Sequence, residues 1–125
     1  MWLLGGGTYD TPTTPTREYR NEVWSSPNGV EWELHMGSAP WAPRQYHDVA
    51  VFDGKMWVLE GFREPEGNLR DVWYSADGVD WRELPDTLWN ERHAASVFVY
   101  GDALWMGAGS NARPMFPDVW KLTRR

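Results

Sequence analysis

Two stretches of the chain read almost as one: Glu22-Val23-Trp24-Ser25-Ser26-Pro27-Asn28-Gly29-Val30-Glu31-Trp32 and Asp71-Val72-Trp73-Tyr74-Ser75-Ala76-Asp77-Gly78-Val79-Asp80-Trp81. Each holds an acid, a Val-Trp pair, a serine, a polar-Gly turn and a second Trp, and the two lie 49 residues apart. Self-similarity at a fixed period marks a structural repeat. Working outward, every other Trp falls into the same phase. Trp120, in Asp118-Val119-Trp120, follows Trp73 by 47 residues. Trp2, Trp57 and Trp105 sit in the runs MWLLGG, MWVLEG and LWMGAG. Trp41 and Trp89 are 48 apart, and Arg44 and Arg92 each follow by three positions. All ten Trp are therefore repeat positions.

Each repeat contains four short apolar runs, a to d, and none carries the 3.6-residue stripe of a helix. Strand a is 48–52 and 96–100; strand b is 2–4, 56–60 and 104–106; strand c is 21–26, 71–75 and 118–122; strand d is 30–35 and 79–84. Asp53-Gly54 and Gly101-Asp102 link a to b as tight hairpins. Pro27-Asn28-Gly29 and Ala76-Asp77-Gly78 turn c into d, with glycine available for positive φ. Hairpin-linked strands at a period of about 48 residues describe an all-β propeller of four-stranded antiparallel blades. Flat indoles suit blade faces that pack on two neighbours, so Trp24, Trp32, Trp57, Trp73, Trp81 and Trp105 are expected to be buried.

The strand order b-c-d, a-b-c-d, a-b-c divides residues 1–125 into blades at 1–36, 37–84 and 85–125, a single partial propeller of two and a half to three blades. Propellers close as rings of about four to eight blades. Two completions are expected: a head-to-tail homodimer of six blades, or the remainder of a longer propeller chain.

Composition narrows the partners. Eighteen acids against twelve Lys and Arg give a net charge of −6, which excludes the basic surface that nucleic acid rewards. Zero Cys removes disulfides, thiol catalysis and thiolate metal sites. No apolar run approaches the roughly 20 residues that span a bilayer. The start, Met1-Trp2-Leu3-Leu4-Gly5-Gly6-Gly7, lacks the basic region of a signal peptide and reads as the middle of a strand. None of this assigns a compartment.

An apolar run ending in Gly-Gly, then Asn/Asp-Val-Trp, a second Trp, and Arg before the next strand resembles the Kelch repeat. Gly5-Gly6 match the double glycine, while Glu60-Gly61 and Ala108-Gly109 keep only its second member. The turns Ser26 to Trp32 and Ser75 to Trp81 resemble the Asp-box of sialidase-like propellers. The resemblance implies a propeller and is nearly silent on activity. It admits copper-radical chemistry like that of galactose oxidase, which needs a Tyr–Cys crosslink and so fails here. It also admits a sugar-acting enzyme such as a sialic-acid mutarotase, for which Glu60 is the residue to test. The favoured expectation is a non-catalytic module for protein or ligand binding, with no cofactor.

In Kelch-like proteins an Arg at the phase of Arg44 and Arg92 bonds backbone carbonyls between blades; the alternative is a ring of Arg at a channel mouth. His35, His47 and His93 share no phase, so no metal site is expected. The b–c loops, 8–20, 62–70 and 110–117, differ most between repeats, and loops on rigid scaffolds carry function disproportionately. They emerge on the same face as the d–a connections. Trp41, Arg44, Arg63, Trp89, Arg92 and Arg113 are the candidate ligand-binding residues, a set suited to a carbohydrate or an acidic peptide.

Overall fold

A computed structural model of the chain describes residues 1–13, 15–111 and 115–124. The candidate Arg113 lies outside them. Among the described residues there are strands and no helix. The first sheet is β1 (Trp2–Gly7), β2 (Tyr19–Ser25) and β3 (Glu33–Met36), in that order. After β4 (Asp48–Phe52) and β5 (Lys55–Leu59), a short hairpin of β6 (Phe62–Arg63) and β7 (Gly67–Asn68) intervenes. The second sheet then runs β4, β5, β8 (Val72–Ser75), β9 (Arg82–Glu83). The third is β10 (Ser96–Tyr100), β11 (Ala103–Gly107), β12 (Val119–Thr123). Every pairing is antiparallel and joins strands that follow one another within their sheet, as the repeat requires.

Alternation along each strand sends neighbours to opposite faces, so the central sheet packs on both sides. Met56 and Val58 of β5, with Trp81, face the first sheet and meet Leu4, Val23 and Trp41. Trp57 and Leu59, with Phe52 and Val72, face the third sheet and meet Leu104 and Met106. Trp57 Nε1 donates to Phe52 O at 2.9 Å, and Trp105 Nε1 to Tyr100 O at 3.1 Å, one repeat apart. The ring thus adds area to the core while its polar tip closes the a–b hairpin.

Strand d differs from expectation. It begins only at Glu33 and Arg82, because Val30 to Trp32 and Val79 to Trp81 belong to the preceding turn. In both turns a serine hydroxyl (Ser26, Ser75) accepts from the amides two and three residues on, at 3.3 and 2.7 Å and at 3.3 and 2.9 Å. Asn28 Oδ1 and Asp77 Oδ1 each accept two further amides. These bonds hold the Asp77 carboxyl below its ordinary pKa. Trp32 and Trp81 then reach back from Nε1 to Gly29 O and Gly78 O. Such side-chain bonding competes with the sheet ladder and wins locally. Gly78, at φ +80°, is doubly required, since a Cβ there would fall 2.5 Å from the Trp2 ring of the first sheet.

Of the Trp expected to be buried, Trp57 and Trp81 are, and Trp24, Trp73 and Trp105 are half-buried. Trp32 departs. It is 37% exposed where Trp81, in the same turn, is 8% exposed, because Trp81 has a neighbouring sheet and Trp41 beside it.

Candidate functional site

The connector ahead of each inner strand builds the frame. Arg44 is fully buried, and its guanidinium grips Asp71 through Nη1 and Nη2 at 2.7 Å each. Nη1 also donates to Glu60 O, and Nε to Ala42 O. Arg92 repeats every contact: Asp118 at 2.6 and 2.8 Å, Ala108 O and Asn90 O. Trp73 and Trp120 complete the cage, each donating from Nε1 to the same carboxylate at 2.7 Å. Burial alone would raise the Asp71 carboxyl; the Arg44 hydrogen bonds and charge outweigh it and hold it below the usual range. For Asp118 the Arg92 bonds dominate and bring the pKa to about 2. A planar fork against a carboxylate suits Arg and not Lys. Carbonyl contacts between blades were expected for these arginines; the carbonyls they meet lie instead in their own blade, and the carboxylate partners were not expected.

Trp41 is 1% exposed, edge-on to Trp81 at 5.7 Å. Trp89 packs on Trp120 at 5.8 Å. Arg63 is half-buried in the β6–β7 hairpin and pairs with Glu66 at 2.9 Å. Trp41, Arg44 and Arg92 are therefore enclosed by protein, and Arg63 belongs to a separate, more open surface.

That surface is where loops and connectors meet. Phe62 and Gln45 exchange backbone bonds at 2.8 and 2.9 Å, His93 and Ser110 at 3.0 Å each way, and Arg92 N reaches Leu69 O. The pairing gathers rings that lie far apart in sequence. Tyr46 stands 5.9 Å from Tyr9, 5.5 Å from His93 and 6.4 Å from Phe62. Phe62 stands 6.1 Å from His93 and 6.3 Å from Tyr19. The Tyr46 hydroxyl is held by Tyr9, which with burial raises its pKa. Arg17, ion-paired with Asp10 at 3.3 Å, flanks the group.

Tyr46 has φ +58°, a left-handed conformation that costs a non-glycine residue about 1–2 kcal/mol. Its counterpart one repeat on is Ala94, at φ +52°. The backbone demands that conformation at both positions, but only one carries a phenol. His93 likewise replaces Gln45. Asn68 Nδ2 donates to Asn111 Oδ1, leaving Asn68 Oδ1 to accept from His93 Nδ1 at 2.7 Å. In the neutral ring that bond puts the proton on Nδ1, so Nε2 is the acceptor.

Glu60 is a third departure from the repeat. It takes the position of Gly5 and Ala108 at φ +51°, and is fully buried. Its Oε1 accepts from Ala95 N at 3.0 Å, across the second-to-third sheet boundary. Burial, then a hydrogen bond to Asp48, pushes its pKa up to about 9. It is a neutral internal acid without the access a sugar would need. His47 is also internal, with Nε2 against Leu4 O at 2.7 Å and its pKa lowered by burial.

No family model matches the chain. A solved structure titled "Structure of YjhT" superposes with a TM-score of 0.59 at 20% identity, over 72% of this chain and 28% of that one. The fold is propeller-like. The leucine-zipper-like transcriptional regulator 1 homolog of Drosophila melanogaster is 32% identical over 77 residues. That match takes in 58% of this chain, which spans only 8% of the length of that relative.

Proposed function

We propose that the chain is a non-catalytic Kelch-like propeller module that binds a carbohydrate on its loop face, its ring completed by further blades. The observation that carries this reading is Tyr46. A phenol stands where the next repeat has alanine at the same φ, on a loop face, and loops on a rigid scaffold carry function disproportionately. Tyr46, Tyr9, Phe62 and His93 supply ring faces for pyranose C–H groups. In its neutral form His93 Nε2 supplies a hydroxyl acceptor, and Arg63 follows Phe62 in β6. Trp41, Arg44, Trp89 and Arg92 hold the connectors that present these groups.

The test is titration with methyl hexopyranosides, followed by amide chemical shifts. Tyr46→Ala is expected to weaken binding about tenfold, the 1.4 kcal/mol of one lost ring face. Its fold should persist, because Ala94 already adopts that φ. Equal binding by Tyr46→Ala refutes the assignment. A second reading, a sugar-acting enzyme of the mutarotase type, is favoured by the His93 lone pair. It requires catalysed anomeric exchange that His93→Gln, the residue at position 45, removes.

A further inference from the structure

The turns that end β2 and β8 differ at their centre by an amide against a carboxylate. Asn28 stands where Asp77 stands, and each uses Oδ1 to accept the amides two and three residues on. The distances are 2.9 and 3.0 Å for Asn28, and 2.9 and 2.8 Å for Asp77. Either side chain therefore satisfies the turn, and the aspartate does so as a carboxylate whose pKa these bonds lower. Asn28 is followed by Gly29, the only Asn-Gly step in the chain. That step is chemically labile, because a glycine nitrogen has no side chain beside it to keep it from the carboxamide carbon. Asn28 is exposed. So is Asp77, although the Trp2 ring of the first sheet covers the glycine after it, so access for water comes with the turn itself.

Three hydrogen bonds stand between this pair and reaction. Gly29 N, the nucleophile, donates to Ser26 Oγ at 2.7 Å, while Val30 N and Glu31 N hold the carboxamide by Oδ1. Ser26 is 2% exposed, so water does not compete for its hydroxyl. We propose that Asn28 is a self-modification site, converted to aspartate by its own chain, with Ser26 as the latch that sets the rate. When the turn opens, Gly29 N bonds to Asn28 Cγ, the Cγ–Nδ2 bond breaks, and the amide proton leaves with Nδ2 as ammonia. Water then opens the cyclic imide. Cleavage of the new N–Cγ bond gives aspartate, and cleavage at the backbone carbonyl gives the β-linked isomer. The aspartate re-enters the turn as Asp77 does, with a charge that strengthens both amide bonds. The β-linked isomer adds a carbon to the backbone at residue 28, which moves Val30 N and Glu31 N out of register with its acceptor. The turn thus closes again on one product and not on the other.

The 125-residue chain is held at neutral pH and followed by peptide mass for the exchange of amide for acid at residue 28. Enzymatic methylation counts the β-linked isomer. Conversion in the folded chain is expected to be about a hundredfold slower than in a free Ser-Pro-Asn-Gly-Val-Glu peptide, the effect of three ordinary hydrogen bonds. Ser26→Ala should speed it about tenfold. If Ser26→Ala does not fold, the wild type in urea below its unfolding transition decides: its rate must rise in step with amide exchange at Gly29 and Val30. Asn28→Asp, the product made directly, should keep the exchange protection of Val30 and Glu31. Equal rates in folded chain and peptide overturn the proposal, as does a folded Ser26→Ala that converts no faster. So do a wild-type rate that ignores amide exchange, and an Asn28→Asp turn that loses its protection.

Discussion

Trp32 and Trp81 form an experiment the molecule has already half performed. They occupy the same turn, donate the same Nε1 bond and differ in what lies against the ring. Replacing each by alanine removes an equivalent hydrogen bond, so that contribution cancels in the comparison. What remains is burial. The exposures of 37% and 8% differ by 29% of a side chain. On an indole of roughly 250 Å² that is about 70 Å², or about 2 kcal/mol at 25 cal/mol per Å². Trp81→Ala is therefore expected in the range of about 3–5 kcal/mol for a buried aromatic, and Trp32→Ala about 2 kcal/mol below it. Urea unfolding with linear extrapolation reads both, given unchanged slopes. If Trp32→Ala costs as much as Trp81→Ala without any partner, packing between sheets is not what sets the worth of these rings, and the burial account is refuted.

Three further expectations follow from the charged interior. The depressed pKa of Asp118 contributes stability that is present above its unfolded value near 3.8 and lost as pH falls through about 2. Asp118→Asn should lower Tm at neutral pH and flatten the acid limb of a Tm–pH profile; an unchanged limb assigns acid unfolding elsewhere. Glu60 runs the other way: its raised pKa contributes stability that is fully present below about 4.5 and declines as pH rises towards about 9. Glu60→Gln, neutral throughout, should hold Tm level from pH 6 to 9 where the wild type falls, as calorimetry would show. Arg92→Lys, which loses the bidentate fork, is expected to cost at least about 2 kcal/mol in urea unfolding, since the buried cation at position 92 is left imperfectly paired. A cost near zero would mean that the pair is replaceable.

The fold was legible because the repeat wrote each strand two or three times. Strand a was read at 48–52 and 96–100, and β4 and β10 have those bounds. The turns were legible as turns but not in extent. Val30-Glu31-Trp32 alternates like a strand, and only the competing serine and Asn28 bonds reveal that it is not one. The arginine partners lay hidden for a different reason. Asp71 and Asp118 stand 27 and 26 residues beyond Arg44 and Arg92, and no local pattern links such positions. The ring cluster was least legible of all. Tyr9, Tyr46, Phe62 and His93 come from separate loops, so no periodicity announces them. The signal that finds them is negative: Tyr46 and His93 are places where the repeat departs from itself.

The arginine–aspartate clamps have an evolutionary reading. Arg44, Ala42, Glu60 and Asp71 all belong to one repeat, and Arg92, Asn90, Ala108 and Asp118 to the next. Each buried charge is neutralised by its own repeat and by none other. A duplication or deletion cut between strand d and the following Trp therefore moves a charge-balanced cassette. It never strands a guanidinium in the core, where an unpaired ion would cost several kcal/mol. Gene lineages that lengthen or shorten such arcs by whole units of about 48 residues meet no electrostatic barrier, while cuts inside the cassette do.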